Sequence, residues 1–117
     1  MRRLIIAAAL MFTSSLANSA LEKTWQLSTT QSLTFEAGKV SGFAGCNSFF
    51  GSYIQQGSNL SISSLASTRK ACEKTLMQSE TKFLGLLEKN RRFLISQDGM
   101  RLTLIGETIL RLTTAKR

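Results

Sequence analysis

Apolar and polar positions alternate along most of this chain, and the period changes once. Trp25 and Leu27 flank Gln26 and mark a first strand within residues 21–30. Leu33 and Phe35 alternate with Thr34 and Glu36, residues 37–39 form a short turn, and Val40 and Phe43 resume the pattern. A hairpin is therefore expected over 33–43. Residues 49–54 are a third β segment, Gly57, Ser58 and Asn59 form a turn cluster, and 60–65 alternates again. From Arg69 to Asn90 the only glycine is Gly85. There Cys72, Leu76, Phe83 and Leu87 recur at spacings of four and seven, with Met77 and Leu84 beside them. Such spacings place side chains on one helix face, and Lys74, Gln78, Lys82 and Lys89 take the other. One helix is expected at about 70–89, capped by Ser67 or Thr68. Strands follow at 92–96, 100–105 and 109–112, with Asp98 and Gly99 as a strong hairpin signal and Gly106 and Glu107 as a further turn. The order predicts an α+β fold. It is mostly antiparallel β, a partly open barrel-like sheet with one α-helix closing a face or an end.

The first residues carry a different pattern. Arg2 and Arg3 precede an unbroken apolar run over 4–12, and small or polar residues fill 13–20. A membrane-spanning helix needs roughly 20 apolar residues, so the run fits a signal peptide at 1–20 better than a span. Cleavage after Ala17, Ser19 or Ala20 stays open, because the small-residue rule does not choose well among them. A buried N-terminal helix is the alternative, and the charged start argues against it. No cysteine follows the run closely, so no lipid anchor is expected. The remaining residues, 21–117, read as one domain, periplasmic or secreted and not membrane-spanning.

A domain of this size is thermodynamically marginal and benefits from a covalent staple. The chain has two cysteines, Cys46 and Cys72. An even count in an exported chain favours a disulfide. A bridge closing a loop of about 25 residues stabilises by about 3 kcal/mol in the chain-entropy model. Two unpaired buried thiols are the alternative.

The formal charge is +8, and loss of Arg2 and Arg3 lowers it to +6. Partners compatible with that charge are anionic lipid, lipopolysaccharide or an acidic protein face. The basic residues lack the aromatic interleaving of single-strand binders, so no nucleic acid is expected. Catalysis is equally poorly supported. There is no histidine, and the seven acidic residues show no metal or glycosidase spacing. Pairing the cysteines would remove both thiol nucleophiles. No enzyme activity, cofactor or metal site is expected.

One stretch is distinctive. Gly42, Phe43, Ala44, Gly45, Cys46 and Asn47 run into Ser48, Phe49, Phe50, Gly51, Ser52 and Tyr53. Leu60 and Ile62 follow, then Thr68 and Cys72. With Trp25 and Leu27 upstream, this resembles the META domain, also called the HslJ family. The signature residues are Gly45, Cys46, Asn47, Gly51, Tyr53, Thr68 and Cys72. A methionine usual in the second box is replaced here by Arg69 or Lys70. The resemblance implies a compact, barrel-like antiparallel fold with one packed helix, in envelope or secreted proteins, some associated with stress. It also implies likeness to a lipoprotein pilot fold of secretion systems, and no established enzymatic activity.

Asn47 reads either as a ligand-facing amide or as a turn residue that tolerates positive φ or caps its own backbone. Phe49 and Phe50 are adjacent, so in a strand they point to opposite faces. Phe49, Phe50, Tyr53, Arg69 and Lys70 make up the expected binding surface, an apolar groove with a basic rim. The alternative is that the aromatics are core and that basic residues such as Arg91 and Arg92 serve the helix dipole. The expected function is binding of a lipid or a protein segment in the cell envelope by a monomer. The alternative is a docking protein for a secretion-system or other envelope component.

Overall fold

The computed structural model describes residues 20–114, so the expected signal peptide falls almost wholly outside the described residues. The strands are β1 (Thr24–Ser28), β2 (Gln31–Glu36), β3 (Lys39–Phe43), β4 (Ser48–Gln56) and β5 (Asn59–Ser67). After the helix α1 (Lys74–Glu88) come β6 (Arg92–Ile95), β7 (Arg101–Ile105) and β8 (Ile109–Thr114). Each strand pairs antiparallel with its sequence neighbours, and β1 pairs with β8. The sheet is therefore a closed barrel, which corrects the expectation of a partly open one. Closure rests on Trp25 opposite Thr114 and Gln26 opposite Thr113, a long-range register that no local sequence pattern encodes.

Alternation fills the interior. Trp25, Leu33, Phe35, Val40, Phe49, Leu60, Ile62, Phe93, Leu102, Leu104 and Leu112 are all buried. Neighbouring positions such as Thr24, Ser41, Phe50, Ser61 and Arg111 are exposed. Trp25 lies wholly inside because its indole Nε1–H donates to the Leu21 carbonyl at 3.0 Å. A buried indole without an acceptor would be costly.

The helix closes one end of the barrel. Glu80, Phe83 and Leu87, spaced three and four apart, face inward. Phe83 meets Phe49 edge to face with ring centroids 5.9 Å apart. Burial of Phe83 and Leu87 stabilises the docked helix by about 2 kcal/mol each. Gln31, at the start of β2, donates through Nε2 to the Ala44 carbonyl at 3.0 Å and to Ser79 Oγ at 3.1 Å. That side chain ties the helix to two strand ends.

The helix begins later than its periodicity predicts. Its N-cap is Glu73, which makes no side-chain capping bond, and Cys72 precedes the helix rather than sitting on its face. The expected cap, Thr68, is committed elsewhere. Its backbone N–H donates to the Ser48 carbonyl at 3.0 Å, which continues the β4–β5 ladder.

One seam of the barrel is narrow. β5 pairs with β4 from Ser67 to Asn59 but meets β6 in a single register pair, Asn59 opposite Arg92. Leu60 N–H donates to the Arg91 carbonyl at 2.8 Å, and Phe93 N–H to the Ser58 carbonyl at 2.9 Å. The Asn90 side chain completes the seam by donating through Nδ2 to the Leu60 carbonyl at 3.0 Å. Asn90 is buried, so its loss strands that carbonyl away from solvent. Asn90→Ala is expected to lower the unfolding free energy by about 1–2 kcal/mol, read from a urea transition with unchanged slope.

Candidate functional site

The distinctive residues between β3 and β4 form a tight turn against the helix. Gly45 adopts φ +128°, a conformation that L side chains rarely adopt. The next two backbone N–H groups, of Cys46 and Asn47, both donate to Glu80 Oε1, at 3.0 and 2.6 Å. Asn47 Nδ2 donates to Glu80 Oε2 at 2.9 Å. Glu80 is 6% exposed, so this carboxylate is buried and held by three N–H donors. Desolvation pushes its carboxyl up, but the Asn47 amide and the backbone N–H groups of Asn47 and Cys46 outweigh that. The group titrates below the ordinary glutamate value.

Asn47 is the hub. Its Oδ1 accepts the Thr68 hydroxyl at 2.8 Å and the Lys70 N–H at 2.6 Å, and its Nδ2 also reaches the Lys70 carbonyl at 3.2 Å. Thr68 Oγ1 in turn accepts the Ser48 N–H at 3.2 Å. One side chain thus fixes the β3–β4 turn, the segment after β5 and the helix. Asn47 lies in the turn without a positive φ, and its amide bonds to protein groups on two other segments, the chain after β5 and the helix. Cys46 and Cys72 are joined in a disulfide that ties the same turn to the residue before the helix N-cap. Gly51 allows close packing at the β4–β5 bulge, since a Cβ there would meet the Ser63 carbonyl at 2.8 Å.

The five residues of the expected binding surface separate. Phe49 is buried against Phe83. Tyr53 faces inward and packs edge to face on Phe35, centroids 5.0 Å apart. Phe50 is 57% exposed, as adjacent strand positions require. Arg69 and Lys70 are exposed in the chain after β5. They border an open cleft of about 600 Å³, also lined by Leu65, Ala66, Met77 and Glu80. Phe50 stands opposite Ala66 in the β4–β5 register but does not line the cleft. Phe43 and Ile54 extend the exposed apolar stripe over β3 and β4.

Sequence reasoning missed Glu80, Gln31 and Asn90. For Glu80 a signal existed, because a carboxylate three residues before Phe83 and seven before Leu87 lies on the apolar helix face.

The META domain model matches residues 13–117. The chain belongs to the META domain family. No curated protein matches it. Two solved structures share its fold. An NMR structure of a protein from Burkholderia xenovorans is 24% identical, with a TM-score of 0.74 over 87% of this chain and 88% of that one. A second NMR structure is 19% identical, with a TM-score of 0.66 over 83% of this chain and 92% of that one.

The depressed folded-state value of Glu80 has a defined sign. The carboxylate contributes stability above the range where an unfolded-chain glutamate titrates, near pH ~4.3, and loses it as pH falls through the folded value. Glu80→Gln is expected to cost about 2 kcal/mol at neutral pH, where it replaces charged acceptors of buried N–H groups. Urea transitions at neutral and strongly acidic pH check this, because the gap between wild type and variant should shrink in acid.

Proposed function

We propose that the chain is an exported, non-catalytic binding domain of the cell envelope, and that it receives an extended protein segment in the cleft beside β5. The observation that carries this reading is the narrow seam. β5 has nine residues but meets β6 only at Asn59, so beyond Leu60 its outer edge lies outside the sheet ladder. Strand edges of this kind accept an added strand through main-chain hydrogen bonds, while flanking pockets select side chains. Here Leu65 and Met77 offer apolar contact, and Arg69 and Lys70 favour a segment carrying acidic residues.

Other features support parts of the proposal. The disulfide favours an oxidising compartment, and among the described residues no helix is long and apolar enough to cross a membrane. The buried carboxylate, Glu80, is occupied by backbone and amide donors, which leaves it poorly placed for proton transfer. Packing of Trp25, Phe35 and Phe49 in the barrel favours a surface cleft over an acyl chain held inside.

A photo-crosslinking residue at Ala66, in the cleft, is compared with one at Glu36 on β2. A protein adduct is expected from position 66 and not from 36, and Arg69→Glu with Lys70→Glu should abolish it. Equal adducts from both positions, or an adduct indifferent to the charge reversal, would overturn the cleft assignment.

A further inference from the structure

On the outer wall of β6, β7 and β8, the register places side chains in rows. Arg92 lies opposite Ile105, which lies opposite Ile109. Leu94 lies opposite Thr103, which lies opposite Arg111. Arg101 lies opposite Thr113. Each strand therefore presents one arginine, and each row contains one. The arginines are exposed, and exposed aliphatic side chains stand between them: Leu94 at 55% and Ile109 at 49%. Met100 extends the apolar component beside Arg101.

Nothing acidic balances this wall. The chain has seven acidic residues, and none lies in β6, β7 or β8. The two acids in the adjoining turns are engaged. Asp98 accepts the Ser96 hydroxyl and the Met100 N–H, and although it feels the charge of Arg101 the two form no ion pair. Glu107 pairs with Lys89 at 3.4 Å. Among the described residues, no ion pair joins these arginines to a carboxylate.

We propose that the β6–β8 wall docks on an anionic membrane surface, with arginines on lipid phosphates and Leu94 and Ile109 entering the headgroup boundary. The guanidinium fork matches phosphate oxygens in pairs, and interleaved aliphatic side chains gain burial that a soluble polyanion cannot give. The absence of aromatic side chains from the wall argues against stacking on nucleic acid bases. This surface lies on different strands from the cleft, so either assignment can fail without the other.

The test is co-sedimentation of the mature protein with phosphatidylcholine vesicles, with and without about one-third phosphatidylglycerol. Binding is expected only to the anionic vesicles and should weaken as salt rises. Arg92→Gln, Arg101→Gln and Arg111→Gln together should reduce it at least about tenfold. These positions are solvent-facing, and an unchanged circular dichroism spectrum and intact disulfide verify the fold. Arg69→Gln with Lys70→Gln should leave binding in place. No binding to anionic vesicles, or an equal loss from the residue 69 and 70 variant, overturns the proposal. If Leu94→Ser with Ile109→Ser binds like wild type, the wall is a general polyanion surface and the lipid assignment fails.

Discussion

A single buried carboxylate organises the end of this barrel that carries the family signature. Glu80 draws the N–H groups of Cys46 and Asn47 and the Asn47 amide into one set of bonds, and a positive φ at Gly45 turns the chain so that they converge. A buried charge is expensive unless it is fully bonded, which makes the arrangement nearly all-or-none. The helix cannot shift along the barrel without leaving the carboxylate unsatisfied. Nor can the turn relax without losing an acceptor for two adjacent backbone donors. The disulfide adds a covalent limit at the same place, and the Asn47 side chain extends the constraint to Thr68 and Lys70.

That rigidity bears on recognition. Arg69 and Lys70 are on a connecting segment rather than on regular structure, yet Lys70 is held by both its N–H and its carbonyl. A charged rim on a pinned backbone loses less conformational freedom on binding than one on a free loop. The signature is thus explained by architecture, while the two proposed docking surfaces use other residues. Phe50 and the β6–β8 arginines face outward on strands whose inward residues fill the core.

Much of the barrel was readable from period alone, because strand alternation is a local property of the chain. Trp25, Phe35, Leu102 and Leu104 all fall on the buried face that alternation assigns them. Closure was not readable, since the register of β1 against β8 joins residues at opposite ends of the domain. The helix start was misplaced for a physical reason. Cys72 has helical spacing from Leu76, but Asn47 holds Lys70 in place, and the helix begins only after Glu73. The site was half legible. Gly45, Cys46 and Asn47 stood out by residue type, and the opposite faces of Phe49 and Phe50 followed from strand geometry. The place of Glu80 on the apolar helix face was a signal, but its role was not legible because its partners lie more than thirty residues earlier. Tyr53 is an aromatic near the signature, and only the packing on Phe35 shows that it faces the core.

The narrow seam divides the barrel into two unequal pieces. β6, β7 and β8 are joined to the remaining strands by the single pair at Asn59 and by two pairs between β1 and β8. The disulfide lies wholly within the other piece, between β3 and the helix. It therefore restrains the unfolded ensemble of β4 and β5, the strands inside its loop, and leaves the last three untethered. Partial unfolding of such a barrel has a preferred direction. The C-terminal meander can detach as one cooperative unit, while the cross-linked part keeps its topology and the template on which the meander re-forms.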